Sequence, residues 1–257
     1  MTSLLFSEAT VSVGDSLVHI GFTSCEAGNL GLHVGDQPLR TVQNRRDLED
    51  ALGLQPGSFV YMNQVHGTEV FDPDSDEAKT PSQSITTFDA QRIAQEAPVA
   101  DAMVTSRKRP LAVMVADCIP VVLVGETAQQ KPILAVAHAG RRGLLDGVIQ
   151  QTVGEMLYRG AVKIQVWLGP SICGRCYEVP EQMQRESVEQ IPQISSQTSW
   201  GTPALDLPAA AKALLEQMPQ VTQVHTELAT CTFEDSTVFS HRRGEPQGRI
   251  AGLVWTE

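Results

Sequence analysis

The chain is short of the residues and patterns that would place it in several large classes. Aromatics make up only 5% of its 257 residues, and 19 Lys and Arg are outnumbered by 30 Asp and Glu, for a formal charge of −11. Nucleic-acid affinity comes largely from cations that neutralise phosphates, so this surface on average repels a polyanion and no nucleic-acid partner is expected. A small anion would need only a local Arg cluster. Long apolar runs are missing too: the best, Leu111 to Val124, has 14 residues and contains Asp117 and Pro120, too short and too polar to span a bilayer. The opening MTSLLFSEATVSVGDS has no basic region followed by a long apolar run, so neither a secretory signal nor a transit peptide is read there. Five cysteines, an odd number without a secretion signal, favour a reducing cytoplasm in which thiols act as ligands, nucleophiles or core residues. H-E-x-x-H, the Walker loop and G-x-G-x-x-G are all absent, which argues against a zincin protease, a nucleoside triphosphatase and a Rossmann dehydrogenase.

What is present reads as an ordinary folded protein. Hydrophobic residues at 42% and charged residues at 19% can build a core that needs neither disulfides nor a structural metal. Without repeats or low-complexity tracts, one globular unit over residues 1–257 is expected, interrupted by a polar insertion at about 72–98, DPDSDEAKTPSQSITTFDAQRIAQEAP. Strand-like runs occur at Leu17 to Phe22, Ser58 to Met62, Leu111 to Val115, Pro120 to Val124, Ile133 to Ala137, Lys163 to Leu168, Gln223 to Leu228 and Ile250 to Trp255. Helical periodicity marks Arg40 to Leu52, Gly143 to Tyr158, Glu181 to Gln190 and Leu207 to Met218, the last entered through Asp206 and Pro208. Strands and helices do not alternate strictly. The expected class is therefore α+β, mixed β-sheets packed together with covering helices, rather than a doubly wound parallel sheet.

Three segments each place a metal-capable side chain at the end of an apolar run beside a turn or glycine: Asn63-Gln64-Val65-His66-Gly67, Ala116-Asp117-Cys118-Ile119-Pro120 and Ala137-His138-Ala139-Gly140-Arg141-Arg142-Gly143. Two imidazoles and a thiolate suit zinc, which accepts N and S donors tetrahedrally and would keep its fourth position for water or substrate. The spacings of 52 and 20 residues match no zinc-finger pattern, and a lone His or Cys is more often a satisfied core residue. The same donors suit copper, with Met114 as a distant axial ligand.

In order along the chain stand NLGLHVGD (Asn29 to Asp36), NRR (Asn44 to Arg46), QVHG (Gln64 to Gly67), ADAMVT (Ala100 to Thr105), ADCIP (Ala116 to Pro120) and HAGRRG (His138 to Gly143). GPSICGRCYEV (Gly169 to Val179), DL (Asp206 and Leu207), CT (Cys231 and Thr232) and FSHRR (Phe239 to Arg243) follow. With these motifs the sequence resembles the YfiH family, also called laccase-domain or polyphenol-oxidase-like proteins, from about Phe22 to Trp255. The resemblance implies αββα-type layers and a zinc site on His66, Cys118 and His138, the triplet already singled out, with the same residues catalytic. It also implies small-molecule substrates. The family is associated with phosphorolysis of purine nucleosides (adenosine, inosine, guanosine and methylthioadenosine), with adenosine deamination, with a copper-dependent phenol oxidase label and with peptidoglycan editing. Two departures from the family pattern stand out: Arg141 replaces the Trp of HAGWRG, and the loop before NLGLHVGD is shortened to TSCEAG at Thr23 to Gly28.

Phosphorolysis requires inorganic phosphate to be held beside the ribose C1′, and Arg142, Arg242 and Arg243 are the candidate phosphate contacts, since guanidinium offers paired donors to phosphate oxygens. Arg141 adds charge at an expected strand-to-helix turn. Deamination would instead need an activated water, and Asp117 is placed either to move its protons or to orient a ligand. His225-Thr226-Glu227 and Cys173/Cys176 mimic halves of the nucleobase-deaminase signature but in reversed order, with Ile172 where its Pro belongs. Cys173 and Cys176 are expected to be structural or to wall a pocket rather than to be redox-active. Two further readings share the triplet: Cys118 as a nucleophile activated by His138, with His66 or Asp117 orienting that base, and a non-catalytic zinc closed by Cys173 or His241. A cytoplasmic monomer or weak homodimer is expected.

Overall fold

The computed structural model describes residues 3–35, 37–75 and 96–257. Most of the insertion expected at 72–98 lies outside the described residues. Its near end is anchored, because Arg159 pairs with Asp72 at 3.0 Å and Asp74 at 3.3 Å.

Two sheets carry the architecture. An antiparallel sheet of four strands has the order β1 (Leu5–Val13), β2 (Ser16–Thr23), β12 (Ile250–Thr256) and β5 (Leu111–Val115). The second sheet has six strands in the order β11 (Val221–His225), β8 (Ala161–Leu168), β6 (Ile119–Thr127), β7 (Pro132–Ala139), β4 (Ala102–Thr105) and β3 (Val70–Phe71). Its edge pairs are parallel and its inner pairs antiparallel. A small ribbon pairs β9 (Ser195–Gln197) with β10 (Pro203–Leu205).

Side chains alternate across a strand, and here that alternation builds three layers of core. In β6, Ile119, Val121 and Leu123 face outward to α3 (Val148–Tyr158) and α5 (Leu207–Glu216), where Ile149, Val153, Ala211 and Leu215 meet them. Val122 and Val124 point the other way, into a core shared with Ile20, Phe22, Val113 and Val254 of the smaller sheet. The far side of that sheet packs Met114, Leu253 and Trp255 against Leu48 of α1 (Pro38–Ala51). The result is the expected α+β class with αββα layers. Among the described residues no helix is long and apolar enough to cross a membrane.

Several expected elements need correction. Ser58 to Met62 forms no strand, only an isolated bridge from Val60 to Leu111, and it enters the core as an irregular segment through Phe59 and Met62. The helix expected over Gly143 to Tyr158 is broken into α2 (Arg141–Asp146) and α3, because Gly147 takes φ 98°, a conformation that glycine reaches without steric cost. Strand β1 was not expected because polar residues interrupt LFSEATVSV, as suits an edge strand with one solvated face. Glu181–Gln190 is helical as read and becomes α4, and Asp206 caps α5 by accepting from the Ala209 N–H at 2.9 Å.

Candidate metal centre and cleft

The three motif segments meet at one end of the seam between the sheets. The chain crosses from β5 to β6, and so from one sheet to the other, through Ala116-Asp117-Cys118. That crossing leaves Cys118 at the mouth of the seam. His138 is the penultimate residue of β7, on the face shared by Leu134 and Val136, opposite Pro120 in register. His66 comes from the irregular segment that precedes β3.

Their donor atoms, His66, Cys118 and His138, lie within 4.8 Å of one another, with Cys118 Sγ 3.7 Å from His66 Nε2. The imidazoles meet edge to face at 4.6 Å. Exposure falls across the set from His66, exposed, through half-buried Cys118 to His138, 4% exposed, so the group is anchored at one end and open at the other.

Asp101 organises both histidines, and it was singled out by no reading of the sequence beyond its place in ADAMVT. Its side chain is fully buried. One carboxylate oxygen contacts His138 Nδ1 at 2.8 Å and accepts from the His66 N–H at 2.9 Å; the other accepts from Val65 and Gly67 N–H at 3.1 and 2.7 Å. Its carbonyl also accepts from the His138 N–H at 2.7 Å. These bonds hold His66 at φ 60°, a region that non-glycine residues enter only when their surroundings fix them there. With Nδ1 engaged by Asp101, His138 has Nε2 left for a ligand, the arrangement typical of metal-bound imidazole.

Electrostatics follow from this packing. Burial alone would push the Cys118 thiol up, but hydrogen bonding and charge interaction with His138, then His66, outweigh it and bring the thiol to about 6. Burial disfavours the charged form of His138, yet Asp101 and Cys118 together raise it to about 9. Asp101 is held below the usual carboxylate range, its own burial being overcome by His138 and the N–H donors.

The residues fit a metal ion. Two nitrogens and a sulfur are a soft-to-borderline donor set, and the space beside them is kept open by Gly140, where a Cβ would stand 2.7 Å from His66 Cδ2 and 2.9 Å from Cys118 Sγ.

Above the donors opens a cleft of about 300 Å³ whose lining includes His33, Tyr177, His241 and three arginines, Arg141, Arg242 and Arg249. Of the three arginines named from sequence, Arg242 is there, its guanidinium bonded to the Glu178 carbonyl at 3.0 Å and 5.2 Å from the centre of the Tyr177 ring. Arg243, next to it, points inward and donates to the carbonyls of Thr232, Asp235 and Val238, which makes it a loop clamp. Arg142 is not in the lining and pairs with Asp146 at 3.6 Å on the exposed side of α2. Arg249 carried no signal in the sequence, whereas His33 and Tyr177 lie inside quoted motifs.

Asp117 neither backs a histidine nor stands free to move protons. Held at φ 86°, its carboxylate accepts from Thr232 Oγ1 at 2.6 Å and from the Arg242 N–H at 2.7 Å, which ties the CT and FSHRR motifs to the sheet crossing. The Met114 sulfur accepts from Arg45 Nη2 at 3.4 Å. Neither Cys173 nor His241 joins the donor group, and Cys173 instead gathers with Cys176, Cys231 and Glu234. His225 pairs with Glu227 at 2.8 Å and stacks on Trp167.

Residues 19–257 match the family described as multi-copper polyphenol oxidoreductase laccase. A purine nucleoside phosphorylase of Streptomyces coelicolor is 39% identical over 253 residues, 93% of this chain and 96% of its own. One from Streptomyces griseus is 41% identical over 232 residues, 89% and 87% of the two chains. Among solved structures, a Neisseria meningitidis protein of the DUF152 family superposes with a TM-score of 0.73 at 29% identity, covering 97% of this chain and 99% of that one. The hypothetical protein YfiH of Bacillus licheniformis gives 0.74 at 25% identity, covering 93% and 96%.

Proposed function

The chain belongs to the multi-copper polyphenol oxidoreductase laccase family, that of the YfiH and DUF152 proteins, and from that premise we propose that it is a zinc-dependent purine nucleoside phosphorylase. The observation that carries the reading is the convergence of His66, Cys118 and His138 on the floor of a cleft whose lining includes three arginines. Around a tetrahedral zinc, a sulfur at about 2.3 Å and a nitrogen at about 2.0–2.1 Å stand about 3.6 Å apart, close to the 3.7 Å between Cys118 Sγ and His66 Nε2. When bound, such an ion supplies Lewis acidity at the cleft floor and, with three protein ligands, keeps a fourth position open.

The chain's own residues supply the rest. Arg242, Arg141 and Arg249 make a local exception to the acidic surface and hold inorganic phosphate through charge-assisted hydrogen bonds. Arg141 and Arg249 take by position the places that Arg142 and Arg243 leave. Ile172, Leu207 and the Tyr177 ring offer a purine an apolar face. A phosphate oxygen so held attacks C1′, the C1′–N bond breaks with its electron pair going to the purine, and the base leaves after taking up a proton. Adenosine deamination is the second reading, favoured by the three-ligand donor set, since the open position could serve a water as well as a substrate oxygen.

Incubating metal-analysed protein with adenosine, with and without phosphate, tests this. Ribose 1-phosphate formed only with phosphate is the expected product. Inosine formed in either case means deamination, and neither product defeats both readings. Inosine, guanosine and methylthioadenosine belong in the same assay. Parallel loading with zinc and with copper decides the metal.

A further inference from the structure

The function proposed above leaves one group of chemically capable side chains unused. Cys173, Cys176 and Cys231 bring three thiols together with the Glu234 carboxylate, all four donor atoms within 4.8 Å. Cys231 lies 58 residues beyond Cys173 and is brought to it by a short parallel bridge at Ser171, with Ser171 N–H donating to Thr230 O and Thr232 N–H to Ser171 O, each at 3.1 Å.

The local geometry favours an ion over apolar packing. In the C-x-x-C turn, Cys176 N–H donates to Cys173 O at 3.0 Å, which bends the chain so that both thiols face one point, and Cys173 N–H donates to Cys231 Sγ at 3.4 Å. A second turn, with Glu234 N–H on Cys231 O at 3.1 Å, sets the carboxylate beside the sulfurs. The Glu234 side chain is half exposed and its other neighbour is the Arg175 guanidinium at 3.8 Å, which leaves it within reach of the three sulfurs as the fourth donor of a tetrahedron. Donors about 2.3 Å from a tetrahedral zinc stand about 3.8 Å apart, so the group needs only a small inward rotation of its side chains to close on one.

We propose that Cys173, Cys176 and Cys231, closed by Glu234, form a second, structural zinc site. Binding forms three zinc–sulfur bonds and releases the three thiol protons to solvent. The ion ties the loop that carries Ile172 and Tyr177 to the loop that leads to His241 and Arg242, and so fixes one wall of the cleft from behind. None of its three thiols lines that cleft.

The test is metal counting on protein purified under reducing conditions with zinc present, followed by desalting. Two zinc ions per chain are expected in the wild type, one in Cys118→Ala, and one in Cys173→Ala and Cys231→Ala. One zinc in the wild type and none in Cys118→Ala would overturn the proposal. Should the Cys173 and Cys231 variants fail to fold, cobalt loading of Cys118→Ala gives the answer: strong thiolate-to-cobalt charge-transfer absorption supports the site, and its absence rejects it. A disulfide joining any two of the three cysteines in that purified protein, seen by peptide mapping after blocking free thiols, also rejects it.

Discussion

The donor atoms of His66, Cys118 and His138 and those of Cys173, Cys176 and Cys231 all lie within 4.8 Å of one another in their respective groups, yet their supports are opposite. At the cleft floor the donor side chains lean on a buried carboxylate: Asp101 contacts the His138 ring and receives three backbone N–H groups from the His66 segment. Behind the cleft wall the thiols lean on turns, and the carboxylate stands among the donors. The first group opens onto the cleft, and the second offers four donors, none of which lines it. A set of three donors backed by a rigid scaffold with one side free is built for reaction, while a set of four closing on itself is built to hold chain segments together.

The largest effect that would break this contrast is replacement of Cys118 by Ala. Metal at the cleft floor and phosphorolysis should vanish together, with activity at background, while the far-ultraviolet circular dichroism spectrum and thermal midpoint stay near the wild type. The fold tolerates the loss because residues such as Phe22, Met103, Leu134 and Ile20 are fully buried in the layers, each contributing about 1.5–3 kcal/mol. Full activity in that metal-free variant would refute the proposed role of the cleft floor.

Next in size is the difference in thiol reactivity after both groups are stripped by a chelator. Cys118, brought to about 6 by His138 and His66 against its burial, should alkylate with a midpoint about three pH units below an ordinary thiol. The thiolate grows as pH rises through that value, and the imidazolium that stabilises it persists until His138 releases its proton near 9. Burial, then the hydrogen bond from Cys231, pushes Cys173 up, and burial, then Cys173, pushes Cys176 further up, so these two should react only in alkaline solution. Iodoacetamide labelling against pH, resolved by peptide mapping, reads all the thiols at once. Equal midpoints would erase the contrast.

Asp101 sharpens it from the other side. Asp101→Ala removes the common partner of one imidazole and three N–H groups, and losing one member of a buried pair costs about 3–5 kcal/mol. Metal affinity at the cleft floor should fall about 10–100-fold, while the Cys173 group keeps its zinc. Competition with a chromophoric chelator and a denaturation curve separate the two effects.

The legibility of these features in the sequence divides along physical lines. His66, Cys118 and His138 could be read because each sits where an apolar run gives way to a turn, and a strand terminus facing a cleft leaves that trace. Asp101 also precedes a strand, but its role depends on bonds to residues 34–37 positions away, which no local pattern encodes. The layers were legible from β5, β6, β7 and β12, whose continuous apolar runs require burial on both faces, and edge strand β1 was hidden by its polar alternation. Adjacent Arg242 and Arg243 look equivalent in sequence, yet one backbone step turns one guanidinium to the cleft and the other to four carbonyls.

A contrast between Arg242 and Arg142 carries the smallest predicted effect. Arg242 lines the cleft, and the loss of charge-assisted hydrogen bonds to phosphate, about 1.5–3 kcal/mol, should raise the KM for phosphate about ten- to hundredfold in Arg242→Ala with the metal content unchanged. Arg142 has a side chain 72% exposed and pairs with Asp146 at 3.6 Å, an exposed i,i+4 pair of the kind worth about 0.3–0.5 kcal/mol. Arg142→Ala should therefore leave kcat and the KM for phosphate within about twofold of wild type, since that ion pair is made outside the cleft and screened by water. Steady-state kinetics at varied phosphate compare the two directly. A larger rise in KM for Arg142→Ala than for Arg242→Ala would show that phosphate approaches along the face of α2, and the cleft would then have to be redrawn around that helix.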